Sequence, residues 1–415
     1  MTESLRPESA EQVREAVAWA AGEEAPLEVL GRGSKRGLGR PLQTQHSLDL
    51  SGLSGITLYE PEELILRARA GTPLAEIEAA LAENRQQLAF EPMDPGPLFG
   101  APPGGGSLGG LLACNLAGPR RIKAGGARDH FLGFEAVSGR GEAFKSGGRV
   151  VKNVTGYDLS KLLAGSYGTL AVMTEATLKV LPAPEKVRSV LVLGLEDAEG
   201  VEALSRALGS AHEVSAAAHL PAAVAARSAV AYLRDAGAAV TLVRVEGTGL
   251  SVEHRCRALR AALADFGETE ELHSHNSAAA WAEIRDVRAL LDQDEAVIWR
   301  LSVAPTQGPE VAARLRVELA AEAYYDWGGG LVWLAVPGGE GGGEGGGEDG
   351  GEAAVRRALG KGGGHATLIR APESLRARVP VFQPQDPAKA ALSERIKSGF
   401  DPRRVLNPGR MYAGV

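Results

Sequence analysis

Cysteine is almost missing: Cys114 and Cys256 are the only two in 415 residues. Two thiols cannot furnish a four-thiolate zinc site or hold an iron–sulfur cluster, and a structural disulfide is not expected in a reducing compartment. Positive charge is not in excess either. The net charge is −7, so the chain has no global basic footprint for nucleic acid. No apolar run approaches the roughly 18–20 residues that cross a bilayer, so no transmembrane segment is expected. The opening Met1-Thr-Glu-Ser-Leu-Arg-Pro lacks the charged-then-apolar layout of a secretion signal. A cytoplasmic protein is expected, with any contact to the inner face of the membrane made through partners.

What is present in quantity is glycine, 54 residues. A hydrophobic share of 44% and a charged share of 23% allow a real core. At roughly 100–200 residues per domain, the length predicts two to three domains. One stretch of glycine and glutamate, 338–352, reads as a solvated loop with nothing to bury. The remaining glycines cluster at 31–39, 100–110 and 118–126, with more at 147–168, a grouping that suits backbone pressed against a ligand.

Residues 8–21 have helical spacing, and Leu27–Leu30 reads as a strand running into a glycine loop. Strands are predicted at 46–50, 56–60, 64–70, 88–90, 131–137, 142–144 and 169–181, and helices at 73–83, 107–115 and 157–164. Pro182-Ala-Pro closes this domain, 1–183. From 187 to 375 the pattern is α+β: strands near 189–195, 239–246, 297–303, 331–336 and 366–369 alternate with helices at 201–208, 252–266, 278–291 and 309–319. This suggests two similar βαβ-type halves. Residues 376–415 hold a helix, 387–397, and an irregular tail of the kind that docks when ordered.

Three segments carry the chemistry. Gly31-Arg-Gly-Ser-Lys-Arg-Gly offers unhindered N–H groups, a hydroxyl and cations, which a diphosphate needs. Its spacing is not the nicotinamide fingerprint, because no helix opens from it; Asp49 therefore carries little weight as a ribose ligand. Gly104-Gly-Gly-Ser-Leu-Gly-Gly-Leu-Leu-Ala-Cys-Asn leads from glycines into a helix and could place donors on an anion. The third, from Gly147 through Tyr157 to Glu175, reads as strand, turn, helix, tight turn, strand. Each taken singly also fits an ordinary turn or connection. Gly139 to Ser146 imitates a P-loop but lacks the glycine before its lysine.

Together, and in this order, the three segments resemble the FAD-binding domain of the p-cresol methylhydroxylase/vanillyl-alcohol oxidase (PCMH/VAO) superfamily. Within it the chain resembles the GlcE-type subunits of bacterial glycolate oxidase, down to the closing Phe400-Asp-Pro-Arg-Arg-Val-Leu-Asn-Pro-Gly-Arg-Met. The resemblance implies an α+β architecture, a two-lobed FAD-binding domain followed by a smaller α+β domain. It implies FAD held by Arg32, Gly33, Ser34 and Lys35, by Ser107, Gly109, Gly110 and Asn115, by Gly125 and Arg128, and by Gly168, Thr169 and Val172, with Asn407 approaching the isoalloxazine. The first loop, 31–40, has neither His nor Cys, so non-covalent FAD is expected.

The implied activity is oxidation of glycolate, a small 2-hydroxy acid, to glyoxylate, with electrons passed to a second flavoprotein subunit and an iron–sulfur subunit. A self-sufficient dehydrogenase of D-lactate type and a scaffold with structural FAD are the alternatives. The His/Gly-rich metal motif of the catalytic relatives has no counterpart, so no metal is expected. Catalytic residues stay unassigned; His365 and Arg370 are weak candidates, since residues five apart on a strand face opposite ways. His273 and His275 lack a third ligand nearby. Trp281 is expected in the core or packed beside the flavin, and Arg285 on a solvated face.

Overall fold

The computed structural model describes residues 3–149, 156–291, 295–338, 347–360 and 363–415. The chain forms two compact units, one of 1–117, 125–183 and 384–415, the other of 118–124 and 184–383. These boundaries differ from the expected ones: residues 118–124 and 376–383 group with the second unit.

In the first unit, helix α1 (Ala10–Glu23) begins where the Ser9 hydroxyl accepts the Gln12 N–H at 3.2 Å, an N-cap. It ends at Glu24 in the left-handed region (φ 53°). Val13, Val17 and Ala20 lie one turn apart and are fully buried against Leu27, Leu48 and Val172. Strands β1 (Glu3–Leu5), β2 (Leu27–Leu30) and β3 (His46–Asp49) form a parallel sheet in the order β1-β3-β2. The tail prolongs it: Leu27 N–H donates to Val405 O at 2.7 Å, and Asn407 N–H to Leu27 O at 3.0 Å.

The second lobe of this unit is an antiparallel sheet. It comprises β4 (Ile56–Glu60), β5 (Ile65–Arg69), β7 (Phe131–Ser138), β8 (Ala143–Gly147) and β9 (Ala171–Lys179), in the order β4-β5-β9-β7-β8. Helices α2 (Leu74–Glu83) and α3 (Leu108–Cys114) belong to the same unit. The strand expected at 88–90 is displaced to β6 (Gln86–Gln87), which pairs with β10 (Leu181–Pro182). Leu88, Ala89 and Phe90 are buried by packing without entering a ladder, because an apolar run reports burial and not pairing. Residues 150–155 of the third sequence segment lie outside the described residues.

The second unit is an eight-stranded antiparallel sheet. Its strands are β11 (Lys186–Leu193), β12 (Ala216–Leu220), β13 (Val240–Gly247), β14 (Thr269–His273), β15 (Val297–Ser302), β16 (Glu322–Asp326), β17 (Leu331–Val336) and β18 (His365–Arg370). The order is β14-β11-β13-β12-β16-β17-β15-β18. Each half is therefore βαββαβ and not βαβ, with helices 197–208 and 249–263 in one and 308–319 and 352–359 in the other. The halves join edge to edge where His219 pairs with Tyr325.

Strand β12 was not legible because its Ala-rich sequence favours helix; five consecutive buried positions in mid-sheet override that preference. The helix expected over 278–291 ends at Arg285, since Val287 turns left-handed at φ 57°. Of the glycine–glutamate stretch, 339–346 lie outside the described residues, and Glu352 already opens a helix.

Candidate functional site

The first unit contains a cleft whose walls come mainly from four places in the sequence, with Leu50 and Ala70 beside them. Residues 29–36 leave the end of β2, residues 107–114 include α3, residues 167–173 lead into β9, and Asn407 and Arg410 come from the tail. Two glycines make the approach feasible. A Cβ on Gly31 would sit 2.2 Å from Ser107 Oγ, so only glycine lets the first two segments meet. Gly33 turns at φ 79°, which a side chain would strain.

The polar chemistry of the cleft is one-sided. Among the described residues, the backbone N–H groups of Arg32, Gly33, Ser34, Lys35 and Gly110 find no protein acceptor. The Lys35 ammonium has no carboxylate within ion-pair distance there; it approaches Ser34 Oγ at 3.3 Å. Burial holds its pKa below the usual lysine range, against the weaker pull of Cys114 and Asp94. These donors are part-buried or, at Arg32, exposed, and without protein acceptors they are available to an anion in the cleft.

An ionic cluster built on the buried Glu28 and Arg410 supports the loop, with Arg36 at its exposed edge. Arg36 Nε donates to Glu28 Oε1 at 2.9 Å, and Arg410 Nη2 reaches the same oxygen at 3.3 Å. Arg410 Nη1 also donates to the carbonyls of Arg36 and Arg40, each at 3.2 Å. On the opposite wall, burial pushes the Cys114 thiol up to about 11, so it stays protonated at neutral pH.

The structure brings Arg32, Gly33, Ser34, Lys35, Ser107, Gly109, Gly110, Gly168 and Asn407 together around the cleft. Five other expected residues do not line it. Val172 points away because strand neighbours alternate: Ala171 and Met173 face the cleft, while Val172 joins the core beside Val13 and Val17. Thr169 is buried, its hydroxyl donating to Ser166 O at 2.7 Å. Asn115, left-handed at φ 49°, accepts the Arg128 N–H at 3.0 Å, while the Arg128 side chain is exposed. Gly125 turns beside the Asp129 carboxylate.

Asp49 is committed to capping Ser51 N–H at 2.9 Å. Arg410, Cys114, Tyr167, Ala171 and Met173 line the cleft without having been singled out. Period-two alternation from Val172 points to Ala171 and Met173, and helical spacing from Gly110 points to Cys114.

In the second unit, His365 is exposed at the start of edge strand β18 and Arg370 ends it, with Arg370 Nε donating to Ala296 O at 3.2 Å. His273 is exposed at the end of β14 and His275 on the next helix. Among the described residues no three His, Cys, Asp or Glu side chains gather as metal ligands would. Trp281 is buried, its Nε1–H donating to Ser189 Oγ at 2.8 Å, and Arg285 forks onto Asp286. No described helix is long and apolar enough to cross a membrane.

Residues 4–147 match the FAD binding domain family. The fold is shared with p-cresol methylhydroxylase, at a TM-score of 0.70 and 16% identity over 98% of this chain and 88% of that one. Domain match and fold together place the chain among proteins with an FAD binding domain and the p-cresol methylhydroxylase fold. The relatives narrow this. The chain is 34% identical over 403 residues to glycolate oxidase subunit GlcE of Escherichia coli, covering 97% of this chain and 96% of the relative. A shorter match, 41% over 87 residues, covers 21% of this chain and 18% of glycolate oxidase subunit GlcD of Bacillus subtilis. The chain belongs to the family of glycolate oxidase subunit GlcE.

The residues present fit FAD. A dinucleotide diphosphate matches a row of free amides beside an ammonium, and the apolar wall of Ala113, Ala171 and Met173 suits a flat ring.

Proposed function

We propose that this chain holds FAD non-covalently and serves as a flavin subunit in the oxidation of glycolate to glyoxylate, handing electrons to partner subunits that include a second flavoprotein and an iron–sulfur protein. The observation that carries this reading is the set of amides at Arg32–Lys35 and Gly110, which find no protein acceptor among the described residues, beside the Lys35 ammonium, which meets only the Ser34 hydroxyl and no carboxylate there. Those amides and the ammonium would hold the diphosphate. Ser107, Gly109, Gly168 and Asn407 would flank the ring.

Bound FAD supplies hydride and electron acceptance. The chain's own residues bind and orient it: Glu28, Arg36 and Arg410 keep the loop in its donor-presenting shape, and the apolar wall excludes water from the ring. Cys114 is the thiol lining the cleft, and burial keeps it protonated and a poor nucleophile, in keeping with a non-covalent cofactor.

Titration of the purified chain with FAD, followed by visible absorption, tests the reading. Saturable binding is expected, with all flavin released by acid precipitation. Flavin retained in the precipitate would refute non-covalent attachment, and no binding would refute the site. Glycolate should bleach the bound flavin only when partner subunits are added. Bleaching by the chain alone would favour the self-sufficient dehydrogenase, and none in either case the scaffold.

A further inference from the structure

A single buried ammonium ties the two ends of the cleft together. Lys397, on the helix Pro387–Phe400, is fully buried, and its Nζ has three acceptors. It donates to Asp401 Oδ2 at 2.8 Å, to Thr169 O at 2.7 Å and to Leu406 O at 3.0 Å, which uses every proton it carries. Asp401 in turn accepts from Val405 N–H at 3.0 Å and Leu406 N–H at 2.8 Å. Each anchored carbonyl is one residue from a cleft-lining position, Thr169 beside Gly168 and Leu406 beside Asn407.

Asn407 completes the clasp. Its Oδ1 accepts Val29 N–H at 2.7 Å and its Nδ2 donates to Tyr167 O at 2.8 Å. Val29 lies two residues before the glycine loop. The tail therefore fixes residues 29, 167–169 and 405–407 relative to one another, and all three groups border the cleft.

We propose that Lys397, with Asp401, is a positioning residue of the cofactor site: it holds Gly168 and Asn407 at the spacing FAD requires, although its own side chain lines no part of the cleft. This rests on the FAD reading above. A side chain that merely stabilised the fold would change melting temperature without changing affinity for FAD in the folded protein.

The test uses the full chain, with FAD as the probe. In wild type, hydrogen exchange should slow on FAD addition at 31–35, 167–169 and 405–407 together. The double variant Lys397→Met/Asp401→Asn removes the buried charges as a pair while leaving a carbonyl acceptor for the tail turn. It should fold, bind FAD at least roughly tenfold more weakly, and lose the added protection at 167–169 and 405–407. Leu315→Ala, a fully buried position in the second unit, should lower melting temperature and leave FAD affinity unchanged. An FAD affinity within about twofold of wild type in the double variant would overturn the proposal. So would wild-type protection confined to 31–35, a result that needs no variant. Failure of wild type to bind FAD at all would instead remove the FAD reading on which the proposal stands.

Discussion

Two sites, one in each unit, treat polar groups in opposite ways. In the first, a loop of glycines leaves amides facing a cleft with no protein acceptor among the described residues, beside an ammonium that has no carboxylate partner there. In the second, a part-buried carboxylate has been supplied with donors from within the unit. Asp197 Oδ2 accepts from Tyr325 O–H at 2.7 Å and Arg316 Nη2 at 2.9 Å, and its Oδ1 lies 3.3 Å from His219 Nε2. Burial alone would raise the Asp197 pKa, but these three donors outweigh it and hold the carboxyl well below its usual range. Hydrogen-bonding capacity kept open marks a place for a ligand; capacity consumed internally marks structure.

The sharpest way to break this comparison is at Gly109. A Cβ there would lie 2.9 Å from Ala70 Cβ and 3.1 Å from Ala70 O, contacts that cannot yield without moving backbone. Gly109→Leu should abolish FAD binding, a loss of at least about a hundredfold, while the second unit keeps its melting transition. Full flavin occupancy in this variant would take the 107–110 segment out of the site.

Next in size is Asp197→Asn, which should destabilise the second unit by about 3 kcal/mol and leave FAD affinity unchanged. Because the folded-state pKa of Asp197 is depressed, its contribution is complete above the unfolded value of ~3.9 and is lost as pH falls below it. Acid unfolding of wild type and variant should therefore converge at low pH. Parallel curves down to the lowest pH would show that this carboxylate is not the linked group.

Lys35→Met isolates the ammonium of the cleft. A charge-assisted bond to a phosphate is worth about 1.5–3 kcal/mol, so FAD affinity should fall by roughly ten- to a hundredfold. The pH dependence carries the sign. Burial lowers the Lys35 pKa, whereas a diphosphate favours the protonated amine, so binding takes up a proton once pH passes that lowered value. Wild-type affinity should weaken as pH rises through the alkaline range, and the variant should lose that dependence. An unchanged slope in Lys35→Met would place the titrating group elsewhere.

The same contrast governs how much was legible beforehand. The glycine loop, the tail motif and the helices with clear one-face periodicity are local features, and β2, α1 and α2 fall within a few residues of their expected positions. The strands β12 and β16 are not local. Ala216–Leu220 becomes a strand because of neighbours on both sides of a sheet that sequence alone does not reveal. In the site, residues that touch the cleft through backbone or a short side chain sit in the motifs. Those that shape it from a distance, Glu28 and Lys397, had no signal beyond their place in ordinary elements. Val172 illustrates the finest limit: a segment can be right while pleat parity puts the neighbours, Ala171 and Met173, in the cleft.

The smallest expected effect separates backbone from side chain at Arg128. Family resemblance gives this residue to FAD, yet its side chain is exposed, and the contact tying it to the region of the site is its own N–H, donated to Asn115 Oδ1. Removing the guanidinium leaves that amide in place. Arg128→Ala should therefore keep FAD affinity within about twofold and stability within about 0.5 kcal/mol. Asn115→Ala, which deletes the acceptor from a left-handed position, should cost about 1 kcal/mol and weaken FAD measurably. If isothermal titration instead finds Arg128→Ala the more damaging of the two, the guanidinium reaches the cofactor when it binds. The division between donors kept open in the cleft and donors spent on structure would then extend beyond the loop that begins at Gly31.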